Sequence, residues 1–345
     1  MTLSTPLMLM GAPGSPYTRK MLALLRYRRI PYALKYGNPR DMPADLPKPK
    51  VGLLPTFFLP DETGTLQAVV DSTPLIRRFE RDVEGRSAVP PHPVLAFLDE
   101  LLEDYADEWL TKAMFHYRWH YQRDAEFAGN ILPRWRVVPT TEEELAPVQA
   151  FIKERQISRL YVVGSNDVTA PVIEEAYRRY LRAMSTHLER HSFLFGGRPA
   201  SSDFAAYGQL TQLAKVDPTP MEETIRTAPR LYAWVDVVDD LSGLEPTETD
   251  WILPDSVPAS LIELFAEMGR TYVPVMLANE TALKAGADEV RTEVEGRPWV
   301  QQPFPYQGRC LTWLRESYGR LSPDHKEQVN KILSGTGCEP LFADE

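Results

Sequence analysis

Three short segments put hydroxyls, a carboxylate and a proline where a small peptide-like anion could be held. Ser15-Pro16-Tyr17-Thr18 opens an amphipathic stretch. Ser15 is a natural N-cap there, and Pro16 sits at the favoured first helical position. A hydroxyl beside unpaired helix N–H groups can stabilise a bound thiolate. Bringing a thiol from a pKa of ~8.5 to near 7 needs about 2 kcal/mol. A helix N-terminus offers ~0.3–1 kcal/mol, and a hydroxyl donating to a charged acceptor roughly 1.5–3 kcal/mol. Asp71-Ser72 heads a second helix. The N-terminus at Ser72 is an anion site, and Asp71 would complement an adjacent ammonium. Leu54-Pro55 opens a strand, where proline is tolerated and a cis bond is accessible. Each segment has a plain structural alternative. Ser15 and Asp71-Ser72 can be simple caps, and Pro55 an edge-strand proline.

The elements that would position these residues alternate strand and helix. Leu7–Met10 reads as a buried strand and Pro16 onward as a helix with Met21, Leu22, Leu24 and Leu25 on its apolar face. Strands follow at Ile30–Tyr36, Thr56–Leu59 and Leu66–Val70, the last two joined by the Asp61-Glu62-Thr63-Gly64 turn. Between Pro39 and Pro49 prolines exclude a long helix. A capped helix runs from Asp71 to about Arg81, and the proline-rich stretch from Glu84 to Pro93 marks a domain boundary. Beyond it the pattern is helical: Val94–Tyr121, Glu142–Tyr161, Pro171–His191, Ser201–Leu213, Ala228–Leu241 and Ala259–Ala285. The remainder contains an irregular Glu295–Tyr306 stretch and two further helices.

Composition narrows the function classes. Of 345 residues, 43% are hydrophobic and 25% charged, an ordinary globular balance. The net charge of −10 disfavours nucleic acid and anionic membrane surfaces as partners. The two cysteines, Cys310 and Cys338, cannot build a disulfide framework, and no apolar run is long enough for a membrane span. The expected location is cytoplasmic. His116/His120 and His187/His191 each share a helix face, but two histidines are too few for zinc, so no metal is expected.

Taken together, the Ser-Pro-Tyr-Thr element, Leu54-Pro55 and the Asp71-Ser72 pair resemble the glutathione transferase superfamily. The segment Gly196-Gly197-Arg198-Pro199-Ala200-Ser201-Ser202-Asp203 is similar to that family's helix-capping pattern. The resemblance covers roughly residues 7–243 and implies an α/β plus all-α fold. A thioredoxin-like glutathione-binding domain (1–83) would precede an all-helical domain (94–245) and an extra C-terminal segment (250–345) packed on the latter. It implies glutathione as co-substrate and a homodimer. Leu54 and Pro55 would meet its cysteinyl backbone, and Asp71 and Ser72 its γ-glutamyl end. Ser15 would stabilise the thiolate, with Tyr17 as rival donor.

Two positions depart from the family. A lysine common in the family is Leu53 here, so the glycyl carboxylate would need Lys48 or Lys50. The helix-capping Ser/Thr is Ala200, leaving Ser201 or Ser202 to cap. Trp109, His116 and Tyr117, on the first long helix of the second domain, are the expected lining for a small hydrophobic electrophile, with core packing as the alternative. The preferred activity is a glutathione-dependent transferase. The alternative is a non-catalytic ligand-binding or interaction protein on the same scaffold. Thiol–disulfide chemistry is disfavoured, because the first domain has no cysteine.

Overall fold

The computed structural model describes residues 3–37, 45–135 and 137–343. Part of the proline-rich stretch after Pro39 therefore lies outside the described residues. The chain begins with β1 (Leu7–Gly11), α1 (Pro16–Tyr27), β2 (Tyr32–Tyr36), β3 (Thr56–Pro60), β4 (Leu66–Val69) and α2 (Ser72–Asp82). The strands form one sheet in the order β2-β1-β3-β4. β1 and β2 run parallel through the α1 crossover, whereas β3 is antiparallel to both β1 and β4. Leu7 and Leu9 of β1 and Met21, Leu24 and Leu25 of α1 are buried in the core beneath this sheet. This is the thioredoxin-like unit that the resemblance implies. The second strand starts at Tyr32 rather than Ile30, because the Ile30 amide is spent closing the end of α1 on the Leu25 carbonyl.

The helical domain starts with α3 (Pro93–Tyr105), continues through a π-helical turn at Ala106–Leu110, and resumes as α4 (Thr111–His120). One helix was expected over this whole range. The wider turn re-aims the side chains of Asp107 and Glu108, and such insertions are frequent at functional sites. Next come α5 (Gln122–Arg134), α6 (Glu142–Ile157), α7 (Ala170–His187), α8 (Ser201–Leu213), α9 (Pro218–Thr227) and α10 (Pro229–Asp239). The sequence pattern gave no expectation of α5 and α9. Gly129 and Pro133 blur the first, and Pro218 and Pro220 crowd the start of the second.

The last part is a long α11 (Ala259–Ala285), a hairpin of β5 (Val290–Val294) and β6 (Arg297–Gln301), then α12 (Pro305–Gly319) and α13 (Pro323–Leu333). The hairpin corrects the irregular stretch expected from Glu295. Glu295 and Gly296 both take left-handed backbone (φ 51° and 72°), the geometry of a tight two-residue hairpin turn. The α11 stripe of Leu261, Leu264, Phe265, Met268, Tyr272 and Met276 is buried in the main core.

The two domains meet where α1 lies on α8. Gly208 of α8 makes that approach possible, since a Cβ there would lie 2.5 Å from the Pro16 carbonyl oxygen and 3.0 Å from Lys20 Cβ. Gly208→Ala is therefore expected to destabilise the protein by about 1–3 kcal/mol. Gly319→Ala, where a Cβ would meet nothing within 4 Å, should cost nothing measurable. Urea midpoints of the two variants check the contrast.

Candidate functional site

The start of α1 and the loop before β3 converge on Ser15. Its backbone is extended (φ −97°, ψ 116°), and its hydroxyl accepts the Thr18 amide at 3.2 Å, so Ser15 is the N-cap of α1. The same hydroxyl donates to the Leu54 carbonyl at 3.2 Å. The Leu54–Pro55 peptide is cis, and Thr56 Oγ1 donates to Leu53 O at 2.7 Å, steadying that corner. Ser15, Leu54 and Pro55 therefore sit together. Lys48, Lys50 and Leu53 are exposed on the irregular stretch leading to it.

Asp71 and Ser72 stand at the head of α2. Asp71 has left-handed backbone (φ 83°), an uncommon conformation for a residue with a Cβ, of the sort that concentrates at ligand sites. Its carboxylate does not cap α2. Instead Oδ2 accepts the Tyr306 hydroxyl of α12 at 2.8 Å. Ser72 is buried, and its Oγ accepts Lys20 Nζ at 3.1 Å.

Lys20 is the centre of the network behind these residues. It is fully enclosed between the domains, 2.7 Å from Glu103 Oε1 and 2.5 Å from Asp107 Oδ2. Glu103 also holds Arg77 at 2.9 Å, and the two cations beside it overcome its burial and keep its carboxyl low. Asp99 serves α8, accepting the Ser202 amide at 2.8 Å and lying 2.6 Å from Ser201 Oγ. The expectation that Ser201 or Ser202 would replace the missing cap at Ala200 is thus corrected. The Ser202 N–H is satisfied within the helical domain by an α3 carboxylate, and the Ala200 amide by Asp203 at 2.8 Å.

Tyr17 reaches into this interface and donates to the Asp107 carbonyl at 2.8 Å. Burial first, then Glu108 and Asp107, push its phenol well above its ordinary pKa, so it remains a neutral donor. Beside α2 lies a cavity of about 230 Å³, lined by Thr73, Arg77, Asp104, Asp107, Glu108, Tyr306, Cys310 and Trp313 among others. Burial and the neighbouring carboxylates push the Cys310 thiol up, which keeps it protonated.

Trp109, His116 and Tyr117, candidates for a pocket lining with core packing as the alternative, lie inside the helical core. Trp109 packs on Trp299 with ring centres 5.3 Å apart, and Tyr117 stands against Tyr177 at 5.6 Å. None of the three lines the acidic cavity. His116 Nδ1 is 2.8 Å from Ser165 Oγ, and its Nε2 is 3.5 Å from Glu174. This order resembles an acyl-transfer triad. However, Ser165 is buried, and the amides of Ser165 and Asn166 are already spent on Leu160 O and Thr169 Oγ1. Neither amide is left to stabilise an oxyanion, so the array is structural. Lys20, Glu103 and Tyr306 escaped the sequence reading. The i, i+4 spacing of Glu103 and Asp107 was the one local signal that a cation would be met.

Residues 9–87 match the N-terminal domain of glutathione S-transferases, and residues 177–238 match their C-terminal domain. No curated protein matches the chain by sequence. Among solved structures, a glutathione S-transferase from Methylobacterium radiotolerans in complex with glutathione sulfonate is 20% identical. The match covers 73% of this chain and 94% of that one, with a TM-score of 0.41. A glutathione S-transferase from Rhodospirillum rubrum is 15% identical over 73% of this chain and 98% of its own, at a TM-score of 0.42. A tau-class enzyme from mango is 16% identical over 70% and 94%, at 0.40.

The acidic interface should leave a pH signature. Glu108 is buried and faces Asp104 and Asp107 from its own helix, Lys112 one turn on, and Gln307 from α12. Burial, then the two aspartates, raise its pKa from 4.5 to about 8. A carboxyl raised in the folded state stabilises the fold most below its unfolded pKa. That contribution is lost as pH rises from 4.5 through about 8. Glu108→Gln is expected to flatten the fall in melting temperature between those pH values. An unchanged slope in differential scanning calorimetry would refute this.

Proposed function

We propose, for a chain that belongs to the glutathione S-transferase superfamily, that it is a glutathione-dependent transferase acting on a small hydrophobic electrophile through a thiolate stabilised by Ser15. The single observation that carries this reading is the Ser15 hydroxyl at the N-terminus of α1, hydrogen-bonded to Leu54 O beside Pro55. Ser15 Oγ would redirect its proton from that 3.2 Å bond to the bound sulfur, while the α1 N-terminus adds a favourable field. Leu54 and Pro55 would position the cysteinyl unit, and Asp71 and Ser72 the γ-glutamyl end. Ser72 accepts from Lys20, which leaves its own proton available to a ligand carboxylate. Lys50, exposed near the Leu53 corner, is the proposed counter-ion for the glycyl carboxylate. Tyr17 is already committed to the Asp107 carbonyl, which favours Ser15 as the thiolate donor. The same reading carries the division into 1–83, 94–245 and 250–345, a cytoplasmic location and a homodimer.

A non-catalytic binding role is the second reading. What favours it is that the chain's own Tyr306 and Lys20 engage Asp71 and Ser72, and that Trp109, His116 and Tyr117 are enclosed.

Ser15→Ala separates the two. Glutathione affinity should stay nearly constant, while the bound thiol pKa rises by about one to two units, at ~1.4 kcal/mol each. Turnover at neutral pH should fall by about ten- to a hundredfold and recover in part at alkaline pH. Thiolate absorbance against pH is the measurement, with Tyr17→Phe as the control. A shift in Tyr17→Phe alone would move the role to Tyr17, and a shift in neither would favour the binding role.

The assembly is checked separately. Sedimentation at micromolar concentration should give a species near twice the 39.2 kDa chain mass. A single species at the chain mass would refute the dimer.

A further inference from the structure

The extra C-terminal segment reaches the head of α2 through one side chain. Tyr306 lies in the first turn of α12, 235 residues beyond Asp71, and its hydroxyl meets Asp71 Oδ2 at 2.8 Å. This contact is held from behind. Asn279, fully buried on α11, accepts the Phe304 amide at 2.7 Å and donates to the Phe304 carbonyl at 3.0 Å, fixing the entry into α12. Gln307 donates to the Glu108 carbonyl at 3.3 Å, and the Tyr306 ring meets the edge of Trp313 at 6.3 Å. The Arg309 guanidinium covers the ring face at 5.2 Å. A tyrosine restrained on each of these sides is a preorganised donor rather than a passing contact.

We infer that Tyr306 is a positioning residue of the proposed ligand site: it holds the Asp71 carboxylate so that the carboxylate receives the free ammonium of a γ-glutamyl group. The inference rests on the glutathione reading above. Tyr306 engages one carboxylate oxygen, Oδ2, and so fixes the side chain's rotation while the group keeps accepting capacity for a cation. The surroundings select the sign of what arrives. Asp104, Asp107 and Glu108 line the adjoining cavity with Tyr306, and Glu103 stands behind them. Of the facing cations, Lys20 and Arg77 are already paired with Glu103 and Asp107, and Arg320, which also lines the cavity, donates to Ser317. An incoming ammonium meets the Asp71 carboxylate and carboxyl oxygens able to accept its N–H bonds, and a blocked or absent amine gains nothing from them. Burial, the largest influence, raises the pKa of Asp71, and the Tyr306 hydroxyl, with Lys20, opposes that rise in part.

The test pairs two probes by calorimetry: glutathione, and glutaryl-cysteinyl-glycine, which lacks only the α-amino group. Tyr306→Phe should weaken glutathione about tenfold, the worth of one hydrogen bond to a charged group. It should change the desamino probe less than about twofold. Tyr306→His, which returns a donor, should recover part of the glutathione loss. Equal loss for both probes would make Tyr306 merely structural and overturn the inference, as would no loss for either. If the wild-type protein binds neither probe, the glutathione reading itself fails, and this inference with it. The melting temperature of Tyr306→Phe should fall by no more than a few degrees, the cost of one hydrogen bond. If that variant does not fold, Tyr306→His carries the same two-probe comparison.

Discussion

Burying the Lys20 ammonium is the constraint that sets the geometry of the site. Lys20 lies one turn inside the helix that Ser15 caps, and it faces away from solvent entirely. A lone ammonium there would cost several kcal/mol, so carboxylates must come to it, and Glu103 and Asp107 do so from the other domain. Such a pair adds little net stability. Removing one partner is a different matter, and costs about 3–5 kcal/mol because a buried charge is left alone. The arrangement therefore acts less as glue than as a lock on geometry. The N-terminus of α1, the head of α2 through Ser72, and α3 cannot move independently without stranding a charge.

The π-helical turn sets Glu108 beside this lock. Glu103 and Asp107 are four residues apart, a spacing that a regular helix would also bring to one face. The inserted residue within Ala106–Leu110 rotates the next part of the helix, placing Glu108 toward α12 while Asp107 stays on Lys20. The result is more carboxylate than cation in one place. Burial and mutual repulsion hold Asp104, Asp107 and Glu108 toward the protonated form, whereas Glu103, between two cations, stays ionised. The same helix supplies the Asp99 carboxylate that completes the N-terminus of α8 in place of a serine or threonine at position 200.

What could be read in the residues was local. Ser15 announced itself as a cap because the cap residue and the following proline are neighbours in the chain, and a two-residue pattern suffices to place both. Leu54-Pro55 and the start of α2 at Ser72 were legible for the same reason, although the Asp71 side chain does not cap that helix, and so was the apolar stripe of α11. Long-range partners were not. Nothing near Tyr306 says that its hydroxyl meets Asp71, and nothing in α1 says that Lys20 on its buried side will find two acids over eighty residues away. The aromatic helix of Trp109, His116 and Tyr117 misled for a physical reason. Aromatics bury large area whether or not a pocket exists, so residue type alone cannot separate wall from core. The β5–β6 hairpin was missed because Glu-Gly is an unusual pair for a turn that needs two left-handed residues.

The extra C-terminal segment changes how the head of α2 should be understood. In the first two domains alone, Asp71 would look out from a strained backbone position with Lys20 and the α2 N-terminus behind it. The α2 N-terminus suits an anion, whereas the Lys20 charge is already met by Glu103 and Asp107. With α12 in place, Asp71 is held from the other side by the Tyr306 phenol. Polarity across a few ångströms therefore changes, with N–H donors at Ser72 and the Asp71 carboxylate, held by the Tyr306 hydroxyl, beside them. A group carrying only a carboxylate or only an amine satisfies half of such a gradient. An α-amino acid end, with both charges on one carbon, satisfies all of it. A site of that polarity can favour a zwitterion in a chain whose net charge of −10 opposes anions in general.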